Sequence, residues 1–269
     1  MVLESLLSLK KIRREPWDMF VLTVFYTAVG TALAYVVFPS EVSLTMVFLT
    51  TIALVPMLVN LLKTEEKNEI VYGKPIIKTH LDILGIFFFM FLGMLCFFTI
   101  LAVAVPEHVF ESLFSKQILT IKNINNLTGS AVSLISLETI LSNNFKVLFF
   151  VIIFSFLYGA GAIFILSWNA SVLGAAIGDF IRNTIASLGN GFYSYFHAVP
   201  LALGTYMLHG TLEFIAYFLG AIAGGIISAA VVRHDYKSPK FIEILLDSID
   251  LIIIASITLI VAGIVEVAI

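Results

Sequence analysis

The sequence predicts an all-α fold: a polytopic transmembrane bundle of about six helices, with a broken or re-entrant Gly-rich segment in its second half. Two observations predict it. Of the 269 residues, 60% are hydrophobic and 12% are charged, with a mean hydropathy of +1.05, which is more apolar surface than a soluble domain of this length can bury. The apolar residues also fall in runs of about 20, the length a helix needs to cross hydrocarbon.

Residues 1–16 read as a cytoplasmic N-terminal segment and residues 17–105 as three spans. The first runs from Trp17 to Phe38, and a turn from Pro39 to Glu41 leads into a returning run from Val42 to Leu62. "KTEEKNEIVYGKPIIKTH", residues 63–80, is charged and carries Gly-Lys-Pro turn chemistry, so it reads as an aqueous loop. Ile83 to Val105 makes the third span. Residues 106–144 are too polar to span, yet "AVSLISLETIL" is too apolar for a plain linker; they read as an external cap lying on the membrane surface. Residues 145–269 form the remaining unit, with spans from Val147 to Trp168, Glu213 to Val232 and Ser248 to Ile269.

Basic residues orient these runs, because Lys and Arg in short loops favour the cytoplasmic side. Lys10, Lys11, Arg13, Arg14, Lys63, Lys67, Lys74, Lys78, Arg233, Lys237 and Lys240 fall on one side of the predicted path, and Lys116, Lys122 and Lys146 on the other. The expectation is a multi-pass protein of the cell membrane with a cytoplasmic N-terminus. The first apolar run is full length and lacks a small-residue cleavage site near its end, so no cleavable signal peptide is expected.

This orientation requires one net crossing between Trp168 and Glu213. In "SVLGAAIGDFIRNTIASLGNG", Ile177, Ile181, Ile185 and Leu188 share one helical face, and Asp179, Arg182, Asn183 and Asn190 the other. Such a helix lies at the interface or lines a protein interior. "FYSYFHAVPLALGTYML", interrupted by Pro200 and Gly204, is then the expected crossing. Asp179 and Arg182, at i and i+3, form an ion pair or a substrate-facing gate.

"MLHGTLEF" places His209 and Glu213 four residues apart at the head of an apolar helix. His209, Glu213, Ala216, Gly220 and Gly224 fall on one stripe; Gly220 with Gly224, and Gly174 with Gly178, have the spacing that lets helix backbones approach closely in lipid. A stripe of Ser155, Gly159, Ala162 and Asn169 is expected to face the first, burying His209, Glu213 and Asn169. Two readings follow for the polar pair. In one, Glu213 hydrogen-bonds to Asn143, Asn144 or Asn169 and holds helices together. In the other, a buried carboxyl and imidazole mark an ion or substrate path. As metal ligands the candidates are His209 and Glu213, with His197 as a third, although the spacing differs from His-Glu-x-x-His.

"NNFKVLFFVIIFSFLYGAGAIFILSWNASVLGAAIG" and "MLHGTLEFIAYFLGAIAGG" resemble the stage II sporulation protein M family in order and in kind: paired Asn, a Gly-containing span, an Asn followed by a turn, and then a His-Gly motif with Glu four residues after the His. The resemblance covers about a third of the chain, Asn143 to Val232, with a further glutamate, Glu266, in the last span. Members commonly carry Asn-Gly where this chain has Asn169-Ala170. The resemblance implies a membrane protein, and its member in spore engulfment is regarded as a scaffold for cell-wall hydrolases.

Two functions are therefore expected: a non-catalytic membrane scaffold that recruits or braces membrane or cell-envelope proteins, or a small-solute or ion transporter or channel with a polar site around Asn169, His209 and Glu213. No cofactor is expected, since no phosphate-binding glycine loop or nucleophile setting is present, and no basic stripe of nucleic-acid type occurs. Cys96 stands alone, so no disulfide framework exists. Asn126-Leu127-Thr128 is a glycosylation tripeptide on the external side. The lipid bilayer is one partner, and a homodimer is the commonest state for an oligomer.

Overall fold

The computed structural model describes residues 12–13, 15–68, 76–128, 133–189, 191–233 and 237–268; the side chains of residues 67–79, 124–136 and 208–209 lie outside that description. The side chains of the Asn126 tripeptide and of His209, and the whole of Asn190, therefore fall outside it as well. Among the described residues nine helices follow one another: α1 (Trp17–Val37), α2 (Val42–Asn68), α3 (Ile76–Ala104), α4 (Glu107–Leu113), α5 (Ser115–Thr128), α6 (Ser133–Tyr158), α7 (Ala162–Leu188), α8 (Phe192–Arg233) and α9 (Pro239–Ala268). Seven are long and apolar enough to cross a membrane: α1, α2, α3, α6, α7, the second part of α8 and α9. The protein is a multi-pass helical bundle.

The structure has the expected net crossing between Trp168 and Glu213 but makes it with a different segment. The run from Val147 to Trp168 is not one helix, because the chain turns at Gly159, whose φ of 71° suits glycine alone. Gly161 follows, where a Cβ would overlap the Phe154 carbonyl. The half-polar segment expected at the interface or lining a protein interior is the second part of α7, a helix of spanning length that buries Ile177, Ile181 and Ile185. Residues 192–208, expected as the broken crossing, are the first part of a continuous 42-residue α8 with Pro200 inside it. No turn follows Asn169, which sits within α7.

The aqueous loop assigned to residues 63–80 is also shorter than the sequence suggested. Helix α2 runs on to Asn68 and α3 starts at Ile76, so Glu65, Glu66 and His80 are buried in the bundle. Residues 106–144 do not form one surface cap either: α4 and α5 pack against α2, and α5 against α7, while α6 begins at Ser133 and carries the rest. Gln117 fixes α5 in place. Its Oε1 accepts from Ser43 Oγ of α2 at 2.5 Å, and its Nε2 donates to the Ser43 carbonyl at 3.2 Å and to Ser171 Oγ of α7 at 3.1 Å.

Along the chain, α1 packs on α2 and α3, α3 packs on α7, and α8 lies centrally against α6, α7 and α9. The span Gly210–Arg233 is the most enclosed of the seven. Several hydroxyls inside the spans bond back along their own helices, as Thr27 does to the Thr23 carbonyl and Thr50 to that of Met46, which satisfies them where no water is present.

Candidate functional site

Glu213 is the centre of the polar constellation. Asn144 of α6 donates its side-chain amide to the Glu213 carboxyl of α8, and the Glu266 carboxyl of α9 comes within hydrogen-bonding reach of the same group. One turn further along α8, Tyr217 is buried. Three helices thus meet at one carboxyl. Two carboxyls and an amide can tie helices together by hydrogen bonds, and they are also the groups that hold a proton or a small cation within a bundle.

Close backbone contact sets this geometry. A Cβ on Gly220 would lie 2.6 Å from Leu148 Cδ1, and one on Gly224 would lie 2.6 Å from the Ile152 carbonyl oxygen and 2.9 Å from Ser155 Cβ. Ser155 Oγ donates to the Ala221 carbonyl at 2.6 Å across the same seam. Small residues therefore bring α8 down onto α6 and set Glu213 level with Asn144. Gly174 and Gly178 serve a different pair: they press α7 onto α3 at Phe98 and Ala102.

The remaining expected site residues separate. Asn143 points to the exposed surface while Asn144 is buried. Asn169 does not reach Glu213; its amide donates to its own helix at the Ile165 carbonyl, 2.8 Å away. His209 has its backbone in α8, one turn before Glu213, with its side chain outside the described residues. His197 is exposed on the first part of the same helix, and 16 residues at 1.5 Å each put it about 24 Å from Glu213 along the axis. A continuous helix thus removes His197 as a third ligand. Among the described residues no group of three His, Cys, Asp or Glu is placed to hold a metal ion.

Arg182 does not bond to Asp179, which is exposed. Its Nη1 donates to the carbonyls of Ala102 (2.9 Å) and Val105 (2.6 Å), and its Nη2 to the Glu107 carboxylate. Its guanidinium also lies 5.2 Å from the centroid of the Phe110 ring. Arg182 therefore caps the C-terminal end of α3, whose last carbonyls lack intrahelical partners. This is an anchor for the chain around α4, and it marks the level at which α3 stops.

A second polar cluster lies at the opposite end of the bundle. Glu65 Oε2 accepts from Arg13 Nη2 at 2.6 Å, and His80 Nδ1 lies 2.9 Å from Glu65 Oε1. Next to it, Arg233 Nη1 donates to Glu66 Oε2 at 2.6 Å and to the Lys63 carbonyl at 2.8 Å. These pairs join the N-terminal segment, α2, α3 and α8. They were missed because a run of charged residues reads as solvated; the available signal was an Arg at the end of each neighbouring apolar segment, at positions 13 and 233.

No curated protein and no solved structure matches the chain. Among protein families, residues 84–269 match the one described as stage II sporulation protein M. The match reaches beyond Asn143 to Val232 to take in α3 to α9, and so includes Asn144, Glu213 and Glu266 together. Over most of its length, from α3 to its end, the chain belongs to the stage II sporulation protein M family.

Proposed function

We propose that the protein is a non-catalytic integral membrane scaffold that recruits or braces membrane or cell-envelope partner proteins. The observation that supports it most is the hydrogen bond that Asn144 of α6 donates to Glu213 of α8, with Glu266 of α9 close by: the Glu213 carboxyl is used to join helices. Helices α4 and α5, pinned by Gln117, offer partners a fixed surface apart from the seven long helices. The end carrying Arg13, Lys63, Arg233, Lys237 and Lys240 faces the cytoplasm, by the excess of basic residues that a seven-crossing path gathers there.

The transporter reading draws on the same carboxyls, since ionisable groups inside a bundle mark ion paths as well as helix contacts. Metal content of detergent-purified protein, wild type beside His209→Ala and Glu213→Gln, separates the two. The scaffold predicts no stoichiometric metal in any of the three; metal bound by wild type and lost in both variants favours the transporter. In-cell photocrosslinking from Leu119, exposed on α5, tests the scaffold directly. Adducts with one recurring envelope protein support it, and adducts with lipid alone oppose it. Cysteine labelling at Lys237 and at Leu119 tests the orientation: only the second should react from outside the cell.

A further inference from the structure

The polar hub that seats α5 contains one unsatisfied hydroxyl. Ser43 of α2, Gln117 of α5, and Ser167 and Ser171 of α7 are all buried, the last three completely. Three of the four are bonded. The Gln117 side chain joins Ser43 and Ser171, Ser43 Oγ also accepts from the Lys116 backbone N–H at 3.1 Å, and Ser171 Oγ donates to the Trp168 carbonyl at 2.7 Å. Ser167 Oγ has no partner. A hydroxyl in a helix can donate to the carbonyl one turn back, as Thr184 of α7 does to Phe180 at 2.8 Å, and Ser167 does not take that bond.

Helix geometry places this hydroxyl at the hub. Residues four apart share a face and lie about 6 Å apart along the axis, so Ser167 stands one turn from Ser171 on the side of α7 that meets Gln117. A separation of about 6 Å is twice a hydrogen bond of about 2.8 Å. It is too long for a direct bond and suits one intervening oxygen atom. The bonding capacity left in the hub decides what that oxygen belongs to. Gln117 uses both amide hydrogens, on the Ser43 carbonyl and on Ser171 Oγ, and Ser171 uses its only hydrogen on Trp168. What remains is acceptor capacity on Ser171 Oγ and the Ser167 hydroxyl, which both donates and accepts. An anion would find a single donor there, and a cation no carboxylate among these four side chains. A small neutral molecule that accepts from one hydroxyl and donates to the next matches what is left.

We propose that the junction of α2, α5 and α7 is a binding site for one water molecule, which accepts from Ser167 Oγ and donates to Ser171 Oγ. A buried polar group without a partner is costly, and ordered water is the usual means of satisfying one, inside membrane bundles as elsewhere. The bound water carries the hub one turn further along α7 than the direct bonds of Gln117 reach, and so adds to the attachment of α5. The site is separate from the Glu213 constellation and does not depend on whether the protein is a scaffold or a transporter.

The test uses the full chain in lipid nanodiscs. Thermal unfolding compares wild type with Ser167→Ala, Ser171→Ala and the double variant. A bridging water predicts that Ser167→Ala lowers the apparent Tm by about 2–4 °C, and that the same change costs less than about half as much once Ser171 is already Ala. A Tm that holds or rises in Ser167→Ala would overturn the proposal, because deleting an unbonded buried hydroxyl removes a penalty; strictly additive losses would overturn it as well. An experimental structure that resolves ordered solvent is the direct readout. It should show one compact peak within about 3.2 Å of both Ser167 Oγ and Ser171 Oγ, and none in Ser167→Ala. Ser167 Oγ bonded to the Ile163 carbonyl with no peak beside it would overturn the proposal, and so would elongated density, which would identify a detergent or lipid chain as the occupant.

Discussion

Asn144 and Glu213 are 69 residues apart in sequence and share a hydrogen bond across the α6–α8 seam. The amide is buried, so its acceptor has no ready substitute. Glu213→Leu should lower stability by about 1–3 kcal/mol, the cost of an unsatisfied buried polar group, whereas Glu213→Gln should cost less than about 1 kcal/mol because an amide both donates and accepts. Thermal unfolding in detergent distinguishes them, and a double-mutant cycle with Asn144→Ala should return a coupling of comparable size. Equal loss from both Glu213 variants would remove the hydrogen bond as the explanation.

Gly224 should tolerate no side chain. A Cβ there meets the Ile152 carbonyl oxygen at 2.6 Å, and backbone cannot swing aside as a flexible side chain can. Gly224→Ala is expected to destabilise by about 1–3 kcal/mol. Gly204, with open space around it, is the control: Gly204→Ala should be neutral or stabilising by up to about 1 kcal/mol through helix propensity. Apparent melting temperatures of the two variants, side by side, check the contrast.

The Arg182 cap predicts an uneven result for its partners. Arg182→Lys loses the planar fork that reaches two carbonyls and a carboxylate at once and should cost about 1–2 kcal/mol. Glu107→Gln should cost less than about 0.5 kcal/mol, because the Glu107 side chain is 65% exposed and water screens the pair. Denaturation at low and high salt should leave the Arg182→Lys effect largely unchanged and erase that of Glu107→Gln.

At the other end, Glu65→Ala should be among the most damaging single changes. It removes the one buried carboxyl that Arg13 and His80 share, and breaking a buried pair on one side costs about 3–5 kcal/mol. Limited proteolysis is the added readout: cleavage near Arg13 should accelerate at least tenfold in Glu65→Ala relative to wild type. Unchanged cleavage would mean that the N-terminal segment is held by other contacts.

Hydropathy located most of the helices, so most of the bundle is legible in the sequence. What failed was local. Residues 147–168 form one apolar run, and composition cannot register that Gly159 takes a φ of 71°, so the end of α6 and the start of α7 read as one span and the next crossing is placed too late in the chain. At residues 63–68 the error had the opposite sense. Charge was equated with solvent, while Glu65 and Glu66 are buried because Arg13 and Arg233 arrive from distant parts of the chain. The candidate site divides in the same way: Glu213 and the glycine stripe are periodic along one helix and could be read, but the choice of Asn144 over Asn143 or Asn169 depends on the rotation of α6 against α8.

The turn at residues 159–161 bears on how the protein is made. Residues 147–178 carry no charged side chain, and the three-residue connection between α6 and α7 gives the insertion machinery no polar loop to hold on either side of the bilayer. The two helices should therefore insert together, as one hairpin whose charged side chains stand only toward its open end, the nearest at Lys146 and at Asp179 and Arg182.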